Sequence, residues 1–115
     1  MTLNEIFINT LKSTQNVSVM ISEEEEHAIL LDNGGKYILA FDPLDGSSNI
    51  DCNVSIGTIF GIWRKSDQDL STGVNNEKMA LRPGNELVAS GYCCYGSACQ
   101  LVLCTNQEVN GYYIC

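Results

Sequence analysis

Two aspartates within residues 41–51 have the type and spacing of metal ligands. Because Pro43 restricts the residue before it to extended backbone, Asp42 is predicted to leave a strand near the strand's carboxyl end, where ligands usually bind in α/β sheets. Asp45 follows within reach of the same ion. The two carboxylates and the main-chain carbonyl of Leu44 offer three oxygen ligands to a hard cation such as Mg²⁺. The segment therefore predicts a divalent-cation site.

A phosphate site is predicted beside these ligands. Gly46, Ser47 and Ser48 follow Asp45 directly in the sequence. In a turn, their backbone N–H groups form a cradle for a phosphate. The metal ligands and the phosphate donors would then lie side by side, so we interpret the segment as a combined metal and phosphate site.

Three other interpretations of this segment compete with a metal and phosphate site. An Asp-Gly pair often marks a two-residue hairpin turn, but the stretch between the two predicted strands is too long for that, and its crowded carboxylates repel unless neutralised. A calcium loop would place Phe41 and Pro43 at ligand positions, and Cys52 where a bidentate glutamate belongs, which excludes it. An aspartyl-phosphate mechanism stays open, but the Asp-x-x-Asp spacing disfavours it.

A second acidic cluster, Ser22-Glu-Glu-Glu-Glu-His27, has two readings. In one, Ser22 is the N-cap of a helix and Glu25 reaches back to it. In the other, the flanking apolar runs are short, β-branched strands, which would place Glu23 and Glu24 at a strand edge beside the Asp42 loop. The residues leave both readings open, and the flanking runs favour the second.

Residue spacing excludes several other phosphatase chemistries. No cysteine has an arginine six residues later, no arginine precedes His27, and there is no Gly-x-x-x-x-Gly-Lys-Ser/Thr loop. His27 itself is expected to pack or to face solvent, because magnesium sites prefer oxygen ligands. Metal-activated water remains, with Glu23, Glu24 and Asp42 as the catalytic carboxylates and Glu24 orienting or deprotonating the nucleophile.

Composition limits the partners. The 115 residues carry 6 Lys and Arg against 14 Asp and Glu, a formal charge of −8, so no basic surface is available for nucleic acid or an anionic membrane. No stretch approaches the ~20 apolar residues of a membrane span. An acidic protein that handles an anionic substrate needs a cation between them, and a divalent metal fits that need.

Cysteine usage favours a cytoplasmic protein. No apolar signal segment stands near Met1, so reduced thiols are expected. The only histidine, His27, is distant from the cysteine-rich region, so half-buried structural thiols are favoured over a zinc knuckle. The cysteines are Cys52, Cys93, Cys94, Cys99, Cys104 and Cys115.

A helix and a set of short strands are predicted to position these residues. The capping-box spacing from Thr2 to Glu5 and the apolar period predict a helix over residues 3–13. Strands are predicted at residues 17–21, 27–31, 36–41, 54–63, 100–104 and 112–115. Residues 64–82 are expected to form an excursion over the surface, and residues 84–96 a second helix, with Leu87, Val88, Gly91 and Tyr92 on one face. We expect residues 1–115 to be one partial domain and the chain to be a fragment.

These motifs closely resemble class 1 fructose-1,6-bisphosphatase. The resemblance rests on Ser22-Glu-Glu, on Phe-Asp-Pro-Leu-Asp-Gly-Ser-Ser-Asn-Ile-Asp at 41–51 and on Val-Ser-Ile-Gly-Thr-Ile-Phe-Gly-Ile-Trp at 54–63. The Asp-Pro-Leu-Asp-Gly-Ser core is shared by the wider superfamily of magnesium-dependent sugar and inositol phosphatases. The continuation Ser-Asn-Ile-Asp selects the bisphosphatase.

The resemblance implies a layered α/β fold, a mixed sheet with flanking helices, present here in part. It also implies a homotetramer and Mg²⁺-dependent hydrolysis of the 1-phosphate of fructose 1,6-bisphosphate in gluconeogenesis, with Mn²⁺ or Zn²⁺ as alternative ions. Carried over by position, the metal ligands are Glu23, Asp42, the Leu44 carbonyl and Asp45, and Glu24 helps to activate water. The 1-phosphate would contact Asp45, Gly46, Ser47 and Ser48.

The family is also inhibited by AMP, and the matching positions are Lys36, Tyr37 and Arg64. From the residues alone these are two strand-end cations and an amphipathic strand residue. The N-terminal part of that nucleotide site has no counterpart in this sequence.

Other parts of the family pattern are missing as well. The family chain is about three times longer, and its last metal-binding glutamate, its sugar pocket and an aspartate expected just before Met1 are absent. We therefore expect this chain to be inactive, or nearly so, by itself. Sedoheptulose-bisphosphatase, an inositol-type phosphatase and a non-catalytic Mg²⁺- or AMP-binding module remain as alternatives.

Overall fold

The computed structural model describes residues 2–45, 56–73, 75–95, 99–105 and 108–114. In these residues a helix, α1, precedes a mixed β-sheet, and a shorter helix, α2, follows the fourth strand. The helices are α1 (Leu3–Thr14) and α2 (Asp67–Thr72). The strands are β1 (Val17–Ser22), β2 (Ile29–Leu30), β3 (Tyr37–Asp45), β4 (Ile56–Arg64), β5 (Ala89–Tyr95), β6 (Cys99–Thr105) and β7 (Glu108–Ile114).

The described strands form one sheet in the order β2-β1-β3-β4-β5-β6-β7. β1 and β3 run parallel, and the other neighbouring strands run antiparallel. Because β1 and β3 are parallel, the carboxyl ends of both strands lie at the same edge of the sheet. The predicted mixed-sheet α/β fold is confirmed, and its topology brings the two acidic segments to one edge.

Helix α1 covers one face of the sheet. The Thr2 side chain accepts a hydrogen bond from the Glu5 N–H, and the Glu5 carboxylate accepts one from the Thr2 N–H, so the predicted capping box is present. Ile8 is buried in a cluster with Met20 and Phe41. The Phe7 and Phe41 rings pack with their centroids 5.7 Å apart. This packing fixes the first turn of α1 next to the ends of β1 and β3.

The segment 64–82 is more than a surface excursion, so that expectation is wrong in part. It contains α2 and a one-turn 3₁₀ helix, Glu77–Ala80. Met79 from this 3₁₀ helix is buried against Val19 and Ile38 on the sheet face opposite α1. Because most residues of this segment are polar, its sequence did not indicate that Met79 would be buried and would cover the second face of the sheet.

The helix predicted at residues 84–96 is also wrong. Residues Ala89–Tyr95 form β5, which pairs with both β4 and β6. A Cβ at Gly91 would collide with the carbonyl of Val102 on β6, so this glycine permits the close approach of two strands. The spacing of the apolar residues matched the period of a helix. Pairing with a strand on each side nevertheless makes this segment a strand.

Beyond β4 the sheet has less cover. Tyr92, Val109, Tyr112 and Tyr113 are all exposed apolar or aromatic residues on β5 and β7. The radius of gyration is 15.0 Å, against about 13 Å for a compact domain of this length. An open sheet with a partly covered face accounts for the difference. In the part of the chain that the structure describes, no helix is long and apolar enough to cross a membrane.

Lys65 directly follows β4 and is only 5% exposed. Its Nζ donates to Asn75 Oδ1 at 2.9 Å, and the Asn75 amide donates in turn to the carbonyls of Ser18 and Leu31, both at 3.1 Å. Burial holds the pKa of the Lys65 ammonium below its ordinary value of 10.5, against the opposing effect of the Asp69 carboxylate.

This burial predicts a pH effect on stability. Between the folded-state pKa and 10.5 the unfolded chain binds more protons than the folded chain, so the contribution of Lys65 to the free energy of unfolding rises with pH across that window. Urea unfolding should show wild type gaining stability over Lys65→Met as the pH rises toward 10.5. Lys78→Met, which removes a lysine at an exposed position, is the control. A wild-type advantage over Lys65→Met that stays flat or shrinks would contradict this account.

Candidate functional site

The second acidic cluster lies in a turn directly after β1. The Glu23 N–H donates to the Phe41 carbonyl at 3.1 Å, which extends the pairing of β1 with β3 by one step. The Ser22 hydroxyl accepts from the Glu24 N–H at 3.2 Å, and the Ser22 carbonyl accepts from the Glu25 N–H at 3.1 Å. The alternative in which Ser22 caps a helix is wrong, and the strand-edge placement of Glu23 and Glu24 is confirmed.

Three carboxylates converge at this edge of the sheet. Oxygen atoms of Glu23, Glu24 and Asp42 all lie within 4.8 Å of one another. Glu23 and Glu24 are exposed, and Asp42 is half-buried. Two like unit charges at this separation repel by about 1 kcal/mol in bulk water, and by more beside a low-dielectric surface. A cation among the three carboxylates would remove that repulsion.

The donor set fits a divalent cation. Oxygen ligands lie about 2.1 Å from Mg²⁺ in octahedral geometry, so adjacent ligands are about 3.0 Å apart and opposite ones about 4.2 Å. The three carboxylate oxygens, all within 4.8 Å of one another, already lie close to that range. All three donors are carboxylates, the ligand class that hard cations select.

The end of β3 differs from its predicted form. Asp42 does not leave the strand, because β3 continues through Pro43 to Asp45. Asp42 pairs with Ile59 and Asp45 pairs with Gly57, with a shift of register between the two pairs. Proline cannot donate to the sheet, and a bulge accommodates it there. The Asp42 carboxylate nevertheless reaches the cluster from within the strand.

Several predicted site residues lie wholly or partly outside the residues that the structure describes. The structure describes the backbone of Leu44 and Asp45 but not their side chains, and Gly46, Ser47 and Ser48 lie outside the described residues. The roles of Leu44 and Asp45 as ligands therefore stay predictions. So does the phosphate cradle.

Two clefts flank the carboxylate cluster. One, of about 390 Å³, is bordered by Glu23 and Asp42 and by the apolar side chain of Ile59. The other, of about 300 Å³, is bordered by Glu24 and by the first turn of α1. The cluster is therefore open on both sides, so an ion and a small anionic ligand can enter it.

Helix α1 supports the acidic turn through Asn4, a residue that sequence analysis missed. The Ser22 hydroxyl donates to Asn4 Oδ1 at 2.6 Å, and Asn4 Nδ2 donates to Glu25 Oε1 at 2.9 Å. Both contacts join residues far apart in the sequence, and no spacing rule reveals them. The only local signal was a polar residue in the first turn of an amphipathic helix.

Removing this support should weaken the cluster. We expect Asn4→Ala to lower the affinity of the chain for Mn²⁺ by about 10-fold, the lower end of the effect of losing a residue that orients metal ligands. Paramagnetic resonance titration with Mn²⁺ measures this affinity. Asn9→Ala, on the exposed face of the same helix, is the control and should bind as wild type does. Equal affinities in all three proteins would contradict the supporting role of Asn4.

The residues predicted to bind AMP lie at the other end of β3. Tyr37 and Arg64 are directly opposed on β3 and β4, and Lys36 immediately precedes β3. The Arg64 guanidinium forms an exposed ion pair with Asp67 at 3.3 Å. Asp42 lies five positions after Tyr37 along β3, a distance of about 17 Å. The structure thus brings these three residues near one another and away from the carboxylates, and their binding role stays a prediction.

Fold and cluster together define a class of protein. It is an α/β protein in which a mixed sheet carries converging carboxylates from two separate segments at one edge. A family model for the N-terminal domain of fructose-1-6-bisphosphatase matches residues 1–114. The chain belongs to the fructose-1,6-bisphosphatase family.

Named relatives agree with this assignment. The chain is 52% identical over 111 residues to the cytosolic fructose-1,6-bisphosphatase of Brassica napus, covering 95% of this chain and 32% of the relative. It is 55% identical over 109 residues to fructose-1,6-bisphosphatase 1 of Rattus norvegicus, covering 93% and 29%. The chain therefore spans about a third of the length of these curated relatives.

A solved structure supports the fold. The chain superposes on the Leishmania major fructose-1,6-bisphosphatase in holo form with a TM-score of 0.85 and 42% sequence identity, covering 97% of this chain and 36% of that one. Membership of the family implies a divalent metal cation. The three converging carboxylates are, among the described residues, the group suited to hold it.

Proposed function

We propose that residues 1–115 form the metal- and phosphate-binding part of the N-terminal domain of a fructose-1,6-bisphosphatase. The whole enzyme would hydrolyse the 1-phosphate of fructose 1,6-bisphosphate, a step of gluconeogenesis. The observation that carries the proposal is the convergence of Glu23, Glu24 and Asp42 in a chain of this family. The cytosolic names of several relatives support a cytoplasmic enzyme.

The metal in this proposal is Mg²⁺, with Mn²⁺ or Zn²⁺ as alternatives. Glu23, Asp42 and Asp45 would supply carboxylate oxygens, and Leu44 its main-chain carbonyl. An all-oxygen set favours Mg²⁺ over softer ions. A divalent cation bound there lowers the pKa of water and stabilises negative charge on phosphoryl and leaving oxygens.

The protein's own groups would bind the phosphate and move one proton. Backbone N–H groups of Gly46, Ser47 and Ser48 would hold the phosphoryl oxygens, with Asp45 beside them. Glu24 would accept a proton from the attacking water as its oxygen bonds to phosphorus. The bond between phosphorus and the sugar C1 oxygen then breaks, and that oxygen takes up a proton from solvent and leaves as an alcohol. The exposure of Glu24 and the cleft beside it support this role.

Regulation and assembly are part of the same proposal. Lys36, Tyr37 and Arg64 would bind AMP as an allosteric inhibitor, and the full-length enzyme would be a homotetramer. Proximity of the three residues on neighbouring strands supports the nucleotide role. Replacing Arg64 with alanine should then raise the AMP concentration needed for inhibition without changing the Mg²⁺ requirement.

A hybrid enzyme tests the proposed chemistry. Residues 1–114 replace the matching segment of the Rattus norvegicus enzyme, which supplies the remaining chain, and phosphate release from fructose 1,6-bisphosphate is measured with and without Mg²⁺. We expect Mg²⁺-dependent release. A hybrid that assembles like the rat enzyme but releases no phosphate would contradict the proposal. If such a hybrid still bound Mg²⁺ and AMP by calorimetry, the chain would be a non-catalytic binding module.

The alternative substrates need the natural full-length protein, because the sugar pocket lies outside this chain. Competition among fructose 1,6-bisphosphate, sedoheptulose 1,7-bisphosphate and an inositol phosphate separates the three possible phosphatases. We expect the fructose ester to be hydrolysed fastest. Faster hydrolysis of either other substrate would replace the proposed one.

A further inference from the structure

Two cysteine sulfurs touch on the sheet face that carries Thr58. Cys93 lies in β5 and Cys99 begins β6, and their Sγ atoms are 3.4 Å apart. Both thiols are free and half-buried. Cys93 is paired with Leu101 and Tyr95 with Cys99, so the two cysteines are diagonal neighbours.

The other described cysteines are placed differently. Cys94 follows Cys93 in β5 and Cys104 is paired with Ser90, so alternation along the strands turns both to the opposite face of the sheet. The pKa of the Cys99 thiol is raised, first by its hydrogen bond with the Cys93 sulfur and then by desolvation. The contact is thus specific to one pair, and partial exposure leaves this pair open to a small oxidant.

We propose that Cys93 and Cys99 are a redox-active pair that a peroxide oxidises to an intramolecular disulfide. Because its raised pKa disfavours the thiolate of Cys99, Cys93 is the sulfur that attacks the peroxide; it is oxidised to a sulfenic acid and one water leaves. The second sulfur then attacks the sulfenic sulfur, the S–S bond forms and a second water leaves. In sum, two thiols and hydrogen peroxide give one disulfide and two waters.

The diagonal placement makes this disulfide reversible. An S–S bond is about 2.05 Å long, so the sulfurs must approach by more than an ångström. Diagonal neighbours in a sheet lie farther apart than directly opposed residues, and closing the bond pulls on both strands. Strained disulfides are the readily reduced ones. A thiol reductant should therefore restore the pair.

Hydrogen bonds run from Tyr95, two residues after Cys93, through Thr58 to the main-chain carbonyl of Pro43, which follows Asp42. The Thr58 hydroxyl donates its one proton to the Pro43 carbonyl at 2.8 Å, so in its 2.7 Å contact with Tyr95 the phenol is the donor. The Tyr95 phenol also interacts with the Cys93 sulfur, and burial raises its pKa. Pro43 follows Asp42, so a change at the cysteines reaches the backbone beside a predicted metal ligand.

The first experiment maps the disulfide and does not depend on the metal site. The reduced chain is treated with hydrogen peroxide and digested with chymotrypsin, which can cut after Tyr95 and so separates Cys93 from Cys99. We expect mass spectrometry to find the two peptides linked and to find them separate after dithiothreitol. Cys94→Ser and Cys104→Ser should keep the link, whereas Cys93→Ser and Cys99→Ser should lose it.

Two results of this experiment would overturn the proposal. One is the absence of the linked peptides from oxidised chain. The other is a link that survives Cys93→Ser or requires Cys94. The circular dichroism spectrum of each reduced variant, compared with wild type, ensures that a lost link reports chemistry rather than unfolding, and Cys93→Ala serves as a second replacement.

The second experiment tests the connection to the cluster, and this step rests on the proposed function. We expect the oxidised chain to bind Mn²⁺ about 5-fold more weakly than the reduced chain, a modest coupling between two sites. In Tyr95→Phe, which lacks the donor to Thr58, oxidation should change the affinity by less. A linked chain with unchanged affinity would overturn the connection. A reduced chain that binds no Mn²⁺ would contradict the proposed function and leave the disulfide result standing.

Discussion

Replacing Asp42 with asparagine is expected to lower Mg²⁺-dependent phosphate release by the hybrid enzyme about 10³-fold. Asparagine keeps the shape of the half-buried side chain but removes the charge that, in the proposed site, would hold a cation. Loss of the cation removes several kcal/mol of transition-state stabilisation, and each 1.36 kcal/mol is a factor of about ten in rate. Phosphate release at a fixed Mg²⁺ concentration measures the effect.

The matched control for this variant is Asp32→Asn. Asp32 is exposed between β2 and β3, so losing its charge should leave the rate within about twofold of wild type, as is usual for a surface change. If Asp42→Asn kept wild-type activity at limiting Mg²⁺, Asp42 would not be a metal ligand. Unfolding curves of both variants separate loss of metal from loss of fold.

Replacing Glu24 with glutamine is expected to slow turnover about 10²-fold or more, the usual contribution of a positioned proton acceptor. The amide can still accept a hydrogen bond but cannot take a proton from water at neutral pH. Raising the Mg²⁺ concentration should not restore the rate, because the lost group acts on the proton. Turnover measured across a Mg²⁺ titration tests this directly.

Two further variants make that result specific. Glu26→Gln changes an exposed carboxylate in the same turn that lies outside the cluster, and it should be nearly silent. Glu23→Gln should instead raise the Mg²⁺ concentration that the enzyme needs. Full recovery of Glu24→Gln at high Mg²⁺ would assign Glu24 as a metal ligand rather than the proton acceptor.

The meeting of Glu23 and Asp42 could be predicted from sequence for a physical reason. Short β-branched runs before each acidic segment indicated strands, and crowded carboxylates indicated a shared cation. The structure confirms that these carboxylates converge. Local pattern was sufficient here because Glu23 directly follows β1, and Asp42 lies in the last part of the parallel strand β3, beside it.

Other features depended on contacts that local patterns do not encode. Asn4 supports the acidic turn only because α1 packs over the ends of β1 and β3. The residues of β5 show a helical period, and pairing with β4 and β6 overrides it. Met79, in an otherwise polar segment, is buried against the sheet face opposite α1. In each case a long-range contact decided the structure.

The contact between two of the cysteines likewise could not be predicted from local sequence patterns. Half-buried free thiols were predicted, and Cys93, Cys94, Cys99 and Cys104 confirm this within the described residues. Which two of them touch depends on the register of β5 against β6, and no sequence rule fixes that register. The contact between Cys93 and Cys99 therefore becomes visible only in the folded chain.

The most direct test of the central claim is the anomalous diffraction of Mn²⁺ in crystals of the chain. Mn²⁺ takes the same oxygen ligands as Mg²⁺ and scatters anomalously. The account predicts a peak about 2.1–2.2 Å from carboxylate oxygens of Glu23 and Asp42, with Glu24 beside it. A well-ordered crystal with no peak among these three carboxylates, or with Mn²⁺ bound only elsewhere, would contradict it.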